Sequence, residues 1–223
     1  MIESEEQARD FVATLADDTA LRRLERLVAL LMEENERQNL IARTGAPAVW
    51  QRHIADSAQL LKHVPRETIA ALDEGQRWLD LGTGAGFPGL VIAILRPQWH
   101  VALVESRRKR IEWLERMRTE LELKRCEIIG RRVELVDSTP AAVISARAFA
   151  PMPRLIDLSA RFSTEGTLWL LPKGRSAAQD LAQLPESSRR LFHVEQSLTD
   201  PDAGLIVGHL KSAGGRKQAR RKA

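Results

Sequence analysis

Apolar residues recur along this chain with two different periods. Up to about residue 64 the spacing is helical: Leu21, Leu24, Leu27, Val28, Leu31 and Met32 fall on one face, and the polar run from Glu33 to Asn39 closes that helix. Pro47 suits the first turn of a second helix, with Trp50, His53, Ile54, Ser57, Leu60 and Leu61 on its inner side, and Pro65 breaks it. Beyond this point short apolar runs alternate with amphipathic stretches. The pattern predicts strands over 77–81, 99–105, 126–130, 142–145 and 167–171. It predicts helices over 88–95, 109–121 and around 153–162, and a closing strand pair over 192–196 and 205–210. Strand–helix alternation of this kind predicts an α/β fold: a mostly parallel, seven-stranded Rossmann-like sheet with helices on both faces. A helical extension over residues 1–66 precedes the α/β domain of residues 67–210, and residues 211–223 form a tail.

The first of those strands runs into Asp80-Leu-Gly82-Thr83-Gly84-Ala-Gly86-Phe87-Pro-Gly89. Glycines at alternate positions let a chain turn sharply and lie close to a ligand. A loop between a strand end and a helix start directs backbone N–H groups toward an anion. About twenty residues later the second strand ends in Glu105, placed to accept the hydroxyls of a ribose. Together these features indicate a cofactor containing adenosine. Gly84 to Gly89 also fits the dinucleotide spacing G-x-G-x-x-G, but Gly82 holds the strand-end place, giving D-x-G-x-G-x-G, the first motif of S-adenosylmethionine (SAM) methyltransferases. In that setting Asp80 would approach the methionine amino group. A dinucleotide site and a purely structural turn are the other readings of this loop.

Composition narrows the choice. There is no tyrosine, so the Tyr/Lys acid pair of short-chain dehydrogenases is impossible. The chain has 223 residues, too few for a dehydrogenase's second catalytic domain, although Arg107 could meet an NADP 2′-phosphate. One cysteine, Cys126, supports neither a disulfide framework nor a thiolate metal site, and no metal is expected. No apolar run approaches the ~20 residues of a membrane span, and the acidic, mixed start MIESEEQARD does not read as a signal peptide. A cytoplasmic protein is expected. The net charge of +4 is concentrated at the end: KSAGGRKQARRKA carries six Lys/Arg and no acid. A flexible basic tail of this kind can contact nucleic-acid phosphates, through Lys211, Arg216 and Lys217 among others, or can simply be solvated.

Several segments together make a more specific pattern. NLIA (39–42), RHIADS (52–57), DLGTGAGFPG (80–89), VES with KR (104–110), RVE (132–134), SARAFA (145–150) and PKG (172–174) occur in that order. In this the chain resembles the guanine-N7 methyltransferases of small-subunit ribosomal RNA, the glucose-inhibited division protein B family. LPKG departs slightly from the family's L-K-G, which bears on the role of Lys173. The resemblance implies a class I SAM-dependent methyltransferase fold, SAM as cofactor, and ribosomal RNA or an assembling small subunit as substrate. A monomer is expected.

Roles follow from the resemblance and from chemistry. Asp80, Gly82, Thr83, Gly84, Gly86 and Phe87 would line the cofactor, Glu105 would hold the ribose, and Val133 and Glu134 would lie at the adenine, a surface acid being the other reading of Glu134. Arg147, at the fourth strand's end, would position cofactor and guanine. Guanine N7 offers an unprotonated in-plane lone pair, so alignment and exclusion of water suffice and no general base is required. Asn39, His53 and Asp56 then read as pocket-closing residues, the last two sharing a helical face, with a purely structural role for that pair as the other reading. Arg107, Arg131, Arg132 and Lys173 are candidate RNA contacts. Trp50 and Trp113 read as core rather than as base-stacking platforms, and Cys126 as a buried thiol. A SAM- or RNA-binding regulator without catalysis and an NADP-dependent reductase are the remaining alternatives.

Overall fold

A computed structural model describes residues 1–210, the side chains of Arg43 and Thr44 excepted. The expected basic tail, with Lys211, Arg216 and Lys217, lies outside the described residues. The order is α1 (Glu5–Ala13), α2 (Asp18–Asn35), a 3-10 turn Arg43–Ala48, and a helical run made of a π-helical turn Trp50–Ala55, α3 (Asp56–Ala58) and a 3-10 turn Gln59–His63. Then come α4 (Arg66–Asp73), β1 (Arg77–Leu81), α5 (Gly89–Leu95), β2 (His100–Val104), α6 (Arg108–Glu120), β3 (Cys126–Ile129) and a 3-10 turn Val133–Leu135. The chain continues through β4 (Val143–Ser145), α7 (Met152–Ser159), β5 (Leu168–Lys173), α8 (Ala177–Ala182), α9 (Glu186–Arg189), β6 (Phe192–Gln196) and β7 (Gly204–His209).

The seven strands form one sheet in the order β3-β2-β1-β4-β5-β7-β6. All neighbours pair in parallel except β7, which is antiparallel to both β5 and β6. β1 lies inside the sheet between β2 and β4 and every one of its residues is buried, which is why RWLDL reads as a continuous run rather than an alternation. Alternate strand residues feed two cores. On one face Trp78, Val101, Leu103 and Val143 pack with α5, α6 and the N-terminal helices. On the other, Leu79, Ala102, Ile144 and Trp169 pack with α7 and α8. α5 is apolar all round, and all seven of its residues are buried. Such a helix is stable only between two packed layers; here these are the sheet and the N-terminal helices, with α2 and α3 against it. On α2 the inner face is Leu24, Leu27, Leu30 and Leu31, with Leu21 and Val28 at its margins. Asp17 caps that helix by accepting from the Ala20 amide at 2.7 Å.

The strand order reverses between β1 and β4. The loops that follow these two strands, 82–88 and 146–151, therefore face each other across the carboxyl ends of the sheet, where ligands of open α/β sheets bind.

Candidate active site

The glycine loop is held from inside. Gly82, Gly84 and Gly86 have φ of +63°, +62° and +105°, the left-handed conformations that the alternate glycines anticipate. The Thr83 amide donates to the Val104 carbonyl (3.1 Å), and the Thr83 carbonyl accepts from the Gly86 and Phe87 amides (2.9 and 3.1 Å). Trp113 is indeed in the core, but its indole N–H donates to the Ala85 carbonyl at 3.0 Å, so α6 braces the loop.

Asp80 departs from the role expected of it. Its carboxylate is wholly buried and accepts from the Gly89 amide (3.0 Å) and the Ser145 hydroxyl (2.8 Å). The same hydroxyl accepts from the Trp78 indole at 2.8 Å. Burial pushes the Asp80 carboxyl up to about 6, against the pull of its hydrogen bonds. In this structure Asp80 joins β1, β4 and the start of α5 rather than facing a ligand.

Glu105 stands at the end of β2, buried, on a cavity of about 210 Å³ that it shares with Gly82, Arg107, Arg110, Arg131 and Val133. Its carboxylate accepts from the amides of Gly84 (3.1 Å), Ser106 (2.7 Å) and Arg107 (2.9 Å). A carboxylate has about four acceptor positions, so the backbone occupies most of them while it fixes the group at the cavity wall. Glu134, by contrast, does not line the cavity. It is exposed and pairs with Arg154 (3.3 Å) and Arg132 (3.9 Å), so the structure corrects its expected place at the adenine wall and turns Arg132 toward a carboxylate.

Across the switch point, Arg147 is gripped by the RHIADS helix. Its guanidinium donates to His53 Nδ1 (3.0 Å) and the Arg52 carbonyl (3.2 Å) and pairs with Asp56 (3.4 Å). His53 stacks on Phe87 with centroids 5.1 Å apart, and the Arg147 guanidinium lies 5.3 Å from the same ring. Burial, then the charges of Arg147 and Arg52, hold the His53 imidazole down to about 3. It is therefore neutral, and its Nδ1 lone pair is already used by Arg147. Burial raises the Asp56 carboxyl, opposed by Arg147 and by hydrogen bonds. His53, Asp56 and Arg147 line a cleft of about 1130 Å³ together with Phe149, Lys173 and Asp200. Lys173 does not offer a free cation there: its side chain is 8% exposed and its ammonium pairs with Asp180 at 3.2 Å. Asn39 is exposed and does not line the cleft; Asn35 holds that turn instead, its Oδ1 accepting from the Leu40 and Ile41 amides (2.9 Å each).

Several residues that position this site carry no sequence signal of their own. Asp56 also accepts from Gln59 (2.8 Å) and Thr199 (3.1 Å). Gln59 accepts from the Leu198 amide at 2.8 Å, and Gln51 donates to the carbonyls of Ile2 (2.8 Å) and Thr199 (3.0 Å). Glu5 accepts from the amides of Trp50 (3.0 Å) and Gln51 (2.8 Å), capping the π-helical turn. The N-terminus, the RHIADS helix and the β6–β7 connection are thereby tied into one wall. Cys126 is buried on β3, and burial pushes its thiol up to about 12.

The arrangement suits a ligand with a ribose and a charged end on one side of the switch point and an acceptor on the other. Comparison with known proteins agrees. Residues 20–201 match the model of the family described as rRNA small subunit methyltransferase G. The chain is 57% identical over 208 residues to the ribosomal RNA small subunit methyltransferase G of Erythrobacter litoralis, covering 93% of this chain and 97% of that one. It is 45% identical over 220 residues to the protein of the same name from Rhizorhabdus wittichii, covering 98% of this chain and 99% of that one. Among solved structures, a mutant of MtNAS in complex with S-adenosylmethionine shares the fold at 15% identity and a TM-score of 0.53, over 93% of this chain and 77% of that one. A putative O-methyltransferase from Klebsiella pneumoniae does so at 14% identity and a TM-score of 0.54, over 83% and 90%. With more than half of its length matched by the family model, and relatives this similar over nearly their whole length, the chain belongs to the rRNA small subunit methyltransferase G family.

Proposed function

We propose that this protein transfers a methyl group from SAM to N7 of one guanine in small-subunit ribosomal RNA, acting as a monomer in the cytoplasm on the RNA or the assembling subunit. The observation that supports this most directly is the pairing, across the β1/β4 switch point, of a glycine loop and a buried carboxylate with a cleft headed by an arginine. The residues fit the cofactor: Gly82 presents backbone to the cavity, Glu105 offers a fixed carboxylate to the ribose, and Val133 gives an apolar wall for the adenine. When bound, SAM supplies an electrophilic methyl on a sulfonium. The protein then needs to hold the guanine in line with it and keep water out. Arg147 is the positioning residue, aimed by His53 and Asp56. The neutral His53, its Nδ1 committed to Arg147, is not a general base, in keeping with an acceptor nitrogen that has no proton to lose. Arg107 and Arg131, on the rim beside Glu105, meet RNA phosphates, as does the basic tail. Residues 1–66 close the acceptor side.

The test is methyl transfer. The protein is incubated with radiolabelled SAM and small subunits from cells lacking it, and label is mapped by chemical cleavage at N7-methylguanine. Label at a single guanine is expected. Binding of SAM without any label would replace catalysis by a regulatory role.

A further inference from the structure

The cofactor cavity and the acceptor cleft share two residues, Ala148 and Phe149. Phe149 lies directly on the glycine loop. A Cβ placed on Gly82 would come within 2.2 Å of its Cδ2 and 3.0 Å of Cγ and Cε2. Ala148 holds the ring there from a left-handed backbone, φ +51°, which alanine rarely adopts. Among the described residues, no backbone amide from Arg147 to Ala150 donates a hydrogen bond, so side chains alone hold the segment. With the ring in place the cavity at Glu105 measures about 210 Å³. That is below the roughly 300 Å³ at which pockets for organic ligands begin. The two spaces adjoin at this shared pair of residues.

We propose that Phe149 is the movable partition of the active site. Its ring closes the cofactor cavity by lying on Gly82, yields to the incoming cofactor, and then faces the acceptor cleft, where it stacks on the purine that receives the methyl group. Three features carry this: the ring's seat on a residue that must be glycine, the strained and weakly held backbone behind it, and its place on both cavities. Stacking on a ring is also how proteins hold an unpaired base. The inference rests on the SAM reading above.

The test uses S-adenosylhomocysteine as probe, with calorimetric titration and stopped-flow association on the full chain, its Phe149→Ala variant and its Phe149→Tyr variant. If the closed form holds about nine-tenths of the molecules, Phe149→Ala associates about tenfold faster and binds no more weakly. In methyl transfer to small subunits, loss of one stacked base raises KM for the subunit by about tenfold while kcat changes less. Phe149→Tyr restores both values. Weaker binding by Phe149→Ala with an unchanged association rate makes the ring a fixed wall and overturns the partition. An unchanged KM overturns its place at the acceptor. Failure of the unsubstituted protein to bind the probe overturns the SAM reading itself, and the partition with it.

Discussion

The two halves of the site are built in opposite ways. The cofactor half is nearly contiguous: residues 80–89, then Glu105, with the backbone doing most of the work. The acceptor half is assembled from Glu5, Gln51, His53, Asp56, Gln59, Arg147 and Thr199, residues from both ends and the middle of the chain, joined through side chains. A backbone conformation leaves a mark in the sequence, because only glycine tolerates it. A network of side chains leaves little, because beyond the helical pair His53 and Asp56 no spacing relates its members. The halves should therefore fail differently, the first through strain and the second through unsatisfied polar groups.

The largest effect is expected in the cofactor half. At Gly86, φ is +105° and an added Cβ would lie 2.3 Å from Leu90 Cδ1 and 2.6 Å from its Cγ, deep in the core. Gly86→Ala should destabilise the fold by about 3 kcal/mol, combining a glycine-only conformation with overpacking. Gly84→Ala is the internal control. There the Cβ meets only the far end of Arg110, at 2.8 Å, which can swing away. Its cost should be about 1 kcal/mol, that of one left-handed alanine. Urea denaturation of both variants measures the difference, and equal losses would mean that the loop relaxes as a unit.

On the acceptor side, Asp56→Ala removes the acceptor shared by Arg147, Gln59 and Thr199 and leaves a half-buried guanidinium unpaired. Breaking one member of such a pair costs about 3 kcal/mol when fully buried; partial exposure here brings the expectation nearer 2. Methyl transfer should fall further than stability does, since Arg147 loses its aim. A variant as active as the original protein would place guanine alignment elsewhere.

These two halves also differ in what the sequence disclosed. The strands, the left-handed glycines and the buried acid at the end of β2 were legible, because each is fixed by local pattern. Asp80 was legible as important but not in direction: that it turns inward depends on Ser145, its register partner on β4, whose hydroxyl donates to it while accepting from the Trp78 indole. The π-helical turn at Trp50–Ala55 is invisible to a 3.6-residue period, and it rests on a carboxylate 45 residues away, Glu5. Lys173 looked free because its partner, Asp180, sits on the short α8, which has too few turns to show a period.

The two halves respond to pH in opposite senses. Burial and the Arg147 and Arg52 charges depress His53 in the fold, from 6.5 to about 3. Between those values the unfolded chain binds more protons, so His53 stability is complete above pH 6.5 and is lost as the pH falls. From pH 6.5 to 5 the loss is about 2 kcal/mol, at 1.36 kcal/mol per unit. Asp80, raised to about 6, works in reverse: the folded state binds the extra proton between 3.8 and 6, so its contribution improves as the pH falls. His53→Asn keeps an acceptor for Arg147 but removes the titration. Its stability should decline less than that of the original protein between pH 6.5 and 5, by thermal denaturation. Parallel curves would mean that the imidazole is already solvated.

The smallest effect tests the boundary between the halves and the surface. Glu134 follows β3 beside the proposed adenine wall, yet its side chain is 37% exposed and its carboxylate is turned toward Arg154 and Arg132. Exposed ion pairs of this sort are worth about 0–1 kcal/mol. Glu134→Ala should therefore leave stability almost unchanged and S-adenosylhomocysteine affinity within about twofold, less than one hydrogen bond's worth. Glu105→Ala is the contrast, because it removes both the proposed ribose acceptor and the group that holds the Gly84, Ser106 and Arg107 amides; its affinity should fall by more than tenfold. If the two variants lost affinity equally, the 3-10 turn Val133–Leu135 would have to rotate its acid inward on binding, exchanging Arg154 for the ligand. The adenine wall would then be made by the cofactor's arrival, as the Phe149 partition is opened by it.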